Sequence, residues 1–171
     1  YCDKLNSSKR KSCIIVLNII LNSLTRWFAP ILSFTTEEIY QLVLNRNKSI
    51  HLEKFLILPK NFKNDELGIR WTELINLRNI CNLSIEEKRA NKEIGSSLEA
   101  DLIIELNENL FKLFNKTDFS ELCITSGAVI KKSNDDKIKI ITNKAKGSKC
   151  PVCWKINLNK CTRHDSEVNS K

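Results

Sequence analysis

Apolar residues recur at helical spacing through the first part of the chain. Ile14, Leu17, Leu21, Leu24 and Phe28 step by three or four positions, which places them on one face of a helix over residues 7–29. Ser7 and Ser8 are suitable caps, and Pro30 stops the helix because it cannot donate the next backbone bond. Thr35-Thr36-Glu37-Glu38 then marks a second start, with hydroxyl caps followed by carboxylates at the positive end of the helix dipole. Ile39, Leu42 and Val43 continue this helix, which fades near Asn45. Phe34 and Ile39 are expected to pack its start against the first helix. Residues 46–65, with Pro59 among them, read as a loop. The helical period returns from Leu67 to Glu93, where Ile69, Leu74, Leu77, Cys81 and Ile85 approximate one face. Such a run leaves room for a break between Asn82 and Ser84, and Gly95 is expected as the left-handed residue that ends it.

Beyond Gly95 the period shortens. Asp101–Leu106 alternates as a strand, and Asn109–Phe114 suits a short helix. Leu122–Ile130 and Lys137–Thr142 read as two more strands, joined by a turn at Ser133-Asn134-Asp135-Asp136. The expected fold is therefore mainly α: a helical region over 1–95, a small α+β unit over 96–147 and a polar tail over 148–171. Gly147 and Ser148 are the expected hinge into the tail.

Composition adds direction. Hydrophobic residues make up 42% of the 171 positions, enough for a helical core, but the tail is too polar to build one of its own. The formal charge of +8, from 28 Lys+Arg against 20 Asp+Glu, favours polyanions, nucleic acid first. The absence of Met and a start at Tyr1 predict an internal or C-terminal piece of a longer protein. The longest apolar run, Cys13–Leu17 and then Ile19–Leu21, is too short and too interrupted by Asn18 and Asn22 to span a bilayer, so a cytoplasmic location is expected. Cys2, Cys13, Cys81 and Cys123 are scattered among apolar neighbours and are expected as small buried residues. No nucleophile motif, carboxylate pair or phosphate-binding glycine loop is present, and His51 stands alone.

The tail carries the chemistry. Cys150, Cys153, Cys161 and His164 fall in the pattern C-x2-C, seven residues, C-x2-H. Two such pairs brought together by a short hairpin supply the four soft or borderline ligands of a closed, structural Zn²⁺ site. Three of the seven cysteines and one of the two histidines lie in this segment. His164 is the expected fourth ligand, with water or Asp165 as the alternative. Trp154 is either a cover for the metal or a stacking platform for an unpaired base, and the two roles are compatible. Lys146, Lys149, Lys155, Lys160 and Arg163 surround it, and a basic set beside an exposed aromatic is an expected RNA contact.

These segments together resemble one family. Phe28-Ala29-Pro30-Ile31-Leu32-Ser33-Phe34-Thr35-Thr36-Glu37-Glu38-Ile39-Tyr40 resembles a segment of the helical anticodon-binding domain of class I aminoacyl-tRNA synthetases for aliphatic amino acids. Ser49-Ile50-His51-Leu52, Trp71–Arg78 and Arg89–Ala100 resemble segments that follow it there. Ala145–Cys150 and Cys153-Trp154 resemble the entrance to the zinc module of bacterial isoleucine–tRNA ligases, which separates this branch from the valine and leucine enzymes. The sequence departs from the family in two places: His164 stands where a fourth Cys is usual, after a shorter spacer, and Val152 stands where Arg is common. The resemblance implies a monomeric tRNA-binding end of an isoleucine-charging enzyme. Its isoleucine tRNA would be positioned by these residues, while ATP and Mg²⁺ would be used by catalytic domains upstream. The rival expectations are a free-standing zinc-containing RNA-binding protein and the equivalent part of a valine or leucine enzyme.

Overall fold

The computed structural model describes residues 3, 5–44, 47–161, 163 and 164. The chain divides into two compact units, Tyr1–Lys63 and Asn64–Lys171.

The first unit is helical. Helix α1 runs Ser8–Phe28 and α2 runs Ser33–Glu38, continued by a π-helical turn over Ile39–Val43. The expected apolar stripe of α1 is not its packed face: Ile14, Leu17, Leu24 and Phe28 are exposed, and Ser23, Thr25 and Ala29 are buried instead. Small side chains permit close approach, and the Ser23 and Thr25 hydroxyls satisfy themselves on the carbonyls of Ile19 and Leu21 at 2.9 and 2.7 Å. Phe34, expected in the core, is 93% exposed; Tyr40 and Ile50 take its place beside Ala29. The Glu37 carboxylate fixes this corner by accepting the Ile50 N–H at 2.8 Å and the Ser49 hydroxyl at 2.9 Å. Arg26 lies 5.6 Å from the centre of the Tyr40 ring and pairs with Glu53 at 3.5 Å. Cys13, expected to be buried, is exposed, and Cys2 lies outside the described residues.

The second unit packs a long helix on a small sheet. Helix α3 runs without a break from Asp65 to Ala90, started by the Asn64 side chain, which accepts the Leu67 N–H. It buries Leu74, Leu77, Cys81 and Ile85, the face its period predicts, while Ile69 stays exposed. Lys92, not Gly95, is the left-handed residue at its end (φ 59°). The N–H of Lys92 bonds to Arg89 and that of Glu93 to Lys88, closing the last turn in the Schellman pattern.

The sheet follows. Strand β1 spans Ala100–Leu106, α4 Glu108–Phe114, α5 Phe119–Leu122, β2 Gly127–Lys132 and β3 Lys139–Lys144. β1 is central, parallel to β2 and antiparallel to β3, so the turn at 133–136 joins strands that are not neighbours. The inward side of β1, Ala100, Leu102, Ile104 and Leu106, meets the α3 face and Phe114, Phe119 and Cys123. Phe114 and Phe119 form a T-shaped pair, their centres 6.2 Å apart. The strand expected over 122–130 begins only at Gly127, because Asp118 caps the N–H groups of Ser120 and Glu121 and starts α5. Cys81 and Cys123 lie buried together; their hydrogen bond, then burial, push the Cys81 thiol upward. No helix among the described residues is long and apolar enough to cross a membrane.

Candidate metal centre and nucleic-acid interface

The tail folds onto the second unit as a two-stranded knuckle. β4, Ser148–Lys149, pairs antiparallel with β5, Ile156–Asn157. Between them the Trp154 N–H bonds to the Cys150 carbonyl at 3.0 Å, and the Cys150 N–H bonds to the Lys155 carbonyl at 2.9 Å. This reversal puts Trp154 in the left-handed region at φ 65°. Gly147 (φ 123°) is no free hinge: a Cβ there would lie 2.1 Å from the Asn157 carbonyl oxygen.

The turn brings four ligand atoms together. The Sγ atoms of Cys150, Cys153 and Cys161 and a ring nitrogen of His164 all lie within 4.8 Å of one another. Cys153 Sγ is 3.8 Å from Cys161 Sγ, and His164 Nδ1 is 3.7 and 3.6 Å from the sulfurs of Cys150 and Cys161. Such a cluster can hold a metal ion with every position taken by protein. His164 is fully buried and Cys150 nearly so. Burial pushes the Cys150 thiol up, but the N–H groups of Cys153 and Val152 and the side chains of Cys153 and His164 outweigh it and bring it down to about 6. Cys153 moves the other way, to about 11, through burial and its sulfur neighbours. Asp165, the alternative fourth ligand, lies outside the described residues.

The basic residues around Trp154 divide into two sets. Lys146 and Lys149 are exposed, and the Lys149 ammonium sits 5.2 Å from the Trp154 ring centre. Trp154 itself is 59% exposed. Lys155 and Arg163, by contrast, both reach Glu121 Oε1 on α5, at 2.9 and 3.2 Å. Lys155 also donates to the Ser120 hydroxyl at 3.1 Å. Ser126 completes the attachment: its hydroxyl accepts the Ile156 N–H at 2.6 Å and donates to the Leu98 carbonyl. Glu121, Ser120 and Ser126 are partners the sequence reading missed. Asp118 followed three residues later by Glu121 is a local helix-start signal that marks α5. Nothing local marks its pairing with the tail.

Residues 1–104 match the family profile described as the anticodon-binding domain of tRNA ligase. The chain belongs to that family. Its relatives include the isoleucine–tRNA ligase of Pelagibacter ubique, 62% identical over 164 residues, covering 96% of this chain and 18% of that protein. The isoleucine–tRNA ligase of Bradyrhizobium diazoefficiens is 34% identical over 170 residues, covering 92% of this chain and 17% of that protein. That of Rhodopseudomonas palustris is 32% identical over 171 residues. The chain thus spans less than a fifth of the length of these relatives. The profile match ends inside β1, so the Cys/His cluster lies beyond the anticodon-binding profile.

Proposed function

We propose that this chain is the tRNA-binding part of an isoleucine–tRNA ligase, holding isoleucine tRNA while other parts of the protein carry out ATP- and Mg²⁺-dependent aminoacylation. The observation that carries this reading is the anticodon-binding profile over 1–104, together with 62% identity to an isoleucine–tRNA ligase over nearly the whole chain. The enzyme is proposed to act as a monomer in the cytoplasm. In functional terms we divide the chain into an anticodon-binding segment to residue 95, a junction over 96–147 and a metal-binding tail over 148–171.

The metal proposed for Cys150, Cys153, Cys161 and His164 is one structural Zn²⁺. With Zn–S of about 2.3 Å and Zn–N of about 2.0–2.1 Å, a tetrahedral ion separates two sulfurs by about 3.8 Å and a sulfur from a nitrogen by about 3.6 Å. The Cys153–Cys161 separation of 3.8 Å and those of 3.7 and 3.6 Å from His164 Nδ1 to the sulfurs of Cys150 and Cys161 are close to these values, which supports the reading. The ion would staple a segment that has no core of its own. Trp154, Lys146 and Lys149 then offer a stacking ring and two cations to unpaired tRNA bases and their phosphates. The two experiments that test this are a charging assay on the full-length protein with isoleucine, valine and leucine in turn, and elemental analysis of the same preparation. Isoleucine-specific charging and about one zinc per chain are expected. Charging of another amino acid overturns the substrate assignment, and a zinc content far below one with reduced thiols overturns the metal.

A further inference from the structure

We propose that Glu121 is a positioning residue for tRNA recognition: by pairing with Lys155 and Arg163 it fixes the metal knuckle, and with it Trp154, on α5. The inference rests on the tRNA-binding reading above. Lys155 lies two residues after the ligand Cys153, and Arg163 lies immediately before the ligand His164. One carboxylate oxygen therefore ties together the chain flanking both halves of the metal site, at 2.9 and 3.2 Å. These groups are only partly exposed, with side-chain accessibilities of 15% for Lys155, 28% for Arg163 and 35% for Glu121. The contact is not an isolated surface pair: Lys155 also bonds to the Ser120 hydroxyl, and Asp118 holds Ser120 and Glu121 in place through their backbone N–H groups. Beside it Ser126 bonds the knuckle backbone at Ile156. Trp154 immediately precedes Lys155, so the clamp acts next to the ring that is offered to RNA.

The consequence is that Lys155 and Arg163, although basic and beside Trp154, serve tRNA binding through position and not by direct contact with phosphate. The two roles predict opposite signs. If the cations touched phosphates, Glu121 would compete with the RNA, and Glu121→Gln would tighten tRNA binding and steepen its salt dependence. If Glu121 positions the knuckle, the same isosteric change weakens binding and leaves the salt slope alone.

The test is tRNA affinity of the full-length, zinc-loaded protein as a function of salt, for the parent, Glu121→Gln and Lys155→Met/Arg163→Met, with zinc content measured on each. Expected for Glu121→Gln are retained zinc, affinity lower by about fivefold, the low end of what one base–aromatic stack supplies, and an unchanged slope. The double variant is expected to weaken binding with the slope also unchanged. Tighter binding by Glu121→Gln, or a slope shallower by about 1.4 in the double variant, the loss of two phosphate contacts at about 0.7 each, overturns the proposal. Unaltered affinity in Glu121→Gln overturns it as well. Trp154→Ala in the same assay separates the two levels: if that variant binds tRNA as the parent does, the interface reading itself fails, whereas weakening by Trp154→Ala beside an unaffected Glu121→Gln removes only the positioning role.

Discussion

Trp154 carries two demands that conflict at the scale of one residue. It occupies the left-handed region at φ 65°, where a bulky side chain costs roughly 1–3 kcal/mol, because two backbone bonds at Cys150 close the turn there. Glycine would be the better residue for the turn alone, so a ring at this position points to a use for the side chain. Trp154→Gly is therefore expected to hold zinc more tightly than Trp154→Ala, measured by competition with a chelator, while both lose tRNA affinity. For a stacked base the loss is about 1–3 kcal/mol. Equal zinc affinities in parent, Gly and Ala variants, with tRNA binding intact, would remove both halves of the argument. The proposed metal ligands make a second residue-scale prediction. His164 is fully buried with its Nδ1 against two sulfurs, so His164→Ala should lower zinc affinity, and Cys161→Ser should release the ion and disorder the knuckle. Amide hydrogen exchange confined to the tail, with α3 still protected, is the expected signature. If His164→Ala binds zinc as the parent does, the fourth ligand is another group.

Secondary-structure elements show where hydropathy patterning succeeds and where it fails. The α3 face was legible because its partner, the inward side of β1, lies in the same unit and accepts a stripe with the period of the helix. On α1 the apolar stripe stays exposed in this chain and the small residues Ser23, Thr25 and Ala29 are buried instead, an outcome that hydropathy does not register. The β-branched run near Ile124 suggested a strand, yet the Asp118 cap and the burial of Phe119 imposed α5, leaving Ile124 left-handed at φ 55°. Strand order was not legible, because pairing with β1 is non-local. That Cys150, Cys153, Cys161 and His164 come together was legible, because their spacing is local. Two substitutions follow: Phe114→Ala, at a wholly buried ring, should cost about 3–5 kcal/mol in chemical denaturation. Phe34→Ala, at an exposed ring, should stay within about 0.5 kcal/mol of the parent. Glu37 adds a pH dependence. The Ile50 N–H, helped by Ser49 and Gln41, holds its carboxyl below the usual range against the opposing effect of burial. A depressed folded value stabilises the corner above the ordinary carboxylate pKa, and that stability is lost as pH falls through the folded value. Glu37→Gln should flatten the acid limb of the stability curve for the first unit, and an unaltered limb would show that the bond to Ile50 contributes nothing.

Across the whole molecule, the excess of positive charge matters less than where unpaired cations remain. Several cations are held within the fold: Lys88 by Glu93, Arg89 by Glu86, Lys112 and Lys132 by Glu108, Lys155 and Arg163 by Glu121. Pairs of this kind present little net field to an approaching polyanion, so the count of 28 Lys+Arg overstates the number of phosphates that can be met. Lys146 and Lys149, exposed beside Trp154, are placed to meet them. A phosphate neutralised on a single strand contributes about 0.7 to the slope of log affinity against log salt. Lys146→Ala/Lys149→Ala in the full-length protein is therefore expected to make the slope for tRNA shallower by about 1.4. Lys112→Ala on α4 should leave it within error, although both changes remove positive charge. If every substitution shifts the slope in proportion to charge alone, tRNA is held by a diffuse field and not by the knuckle. If only the pair beside Trp154 does so, the RNA contact lies where the metal, the turn and the Glu121 clamp converge.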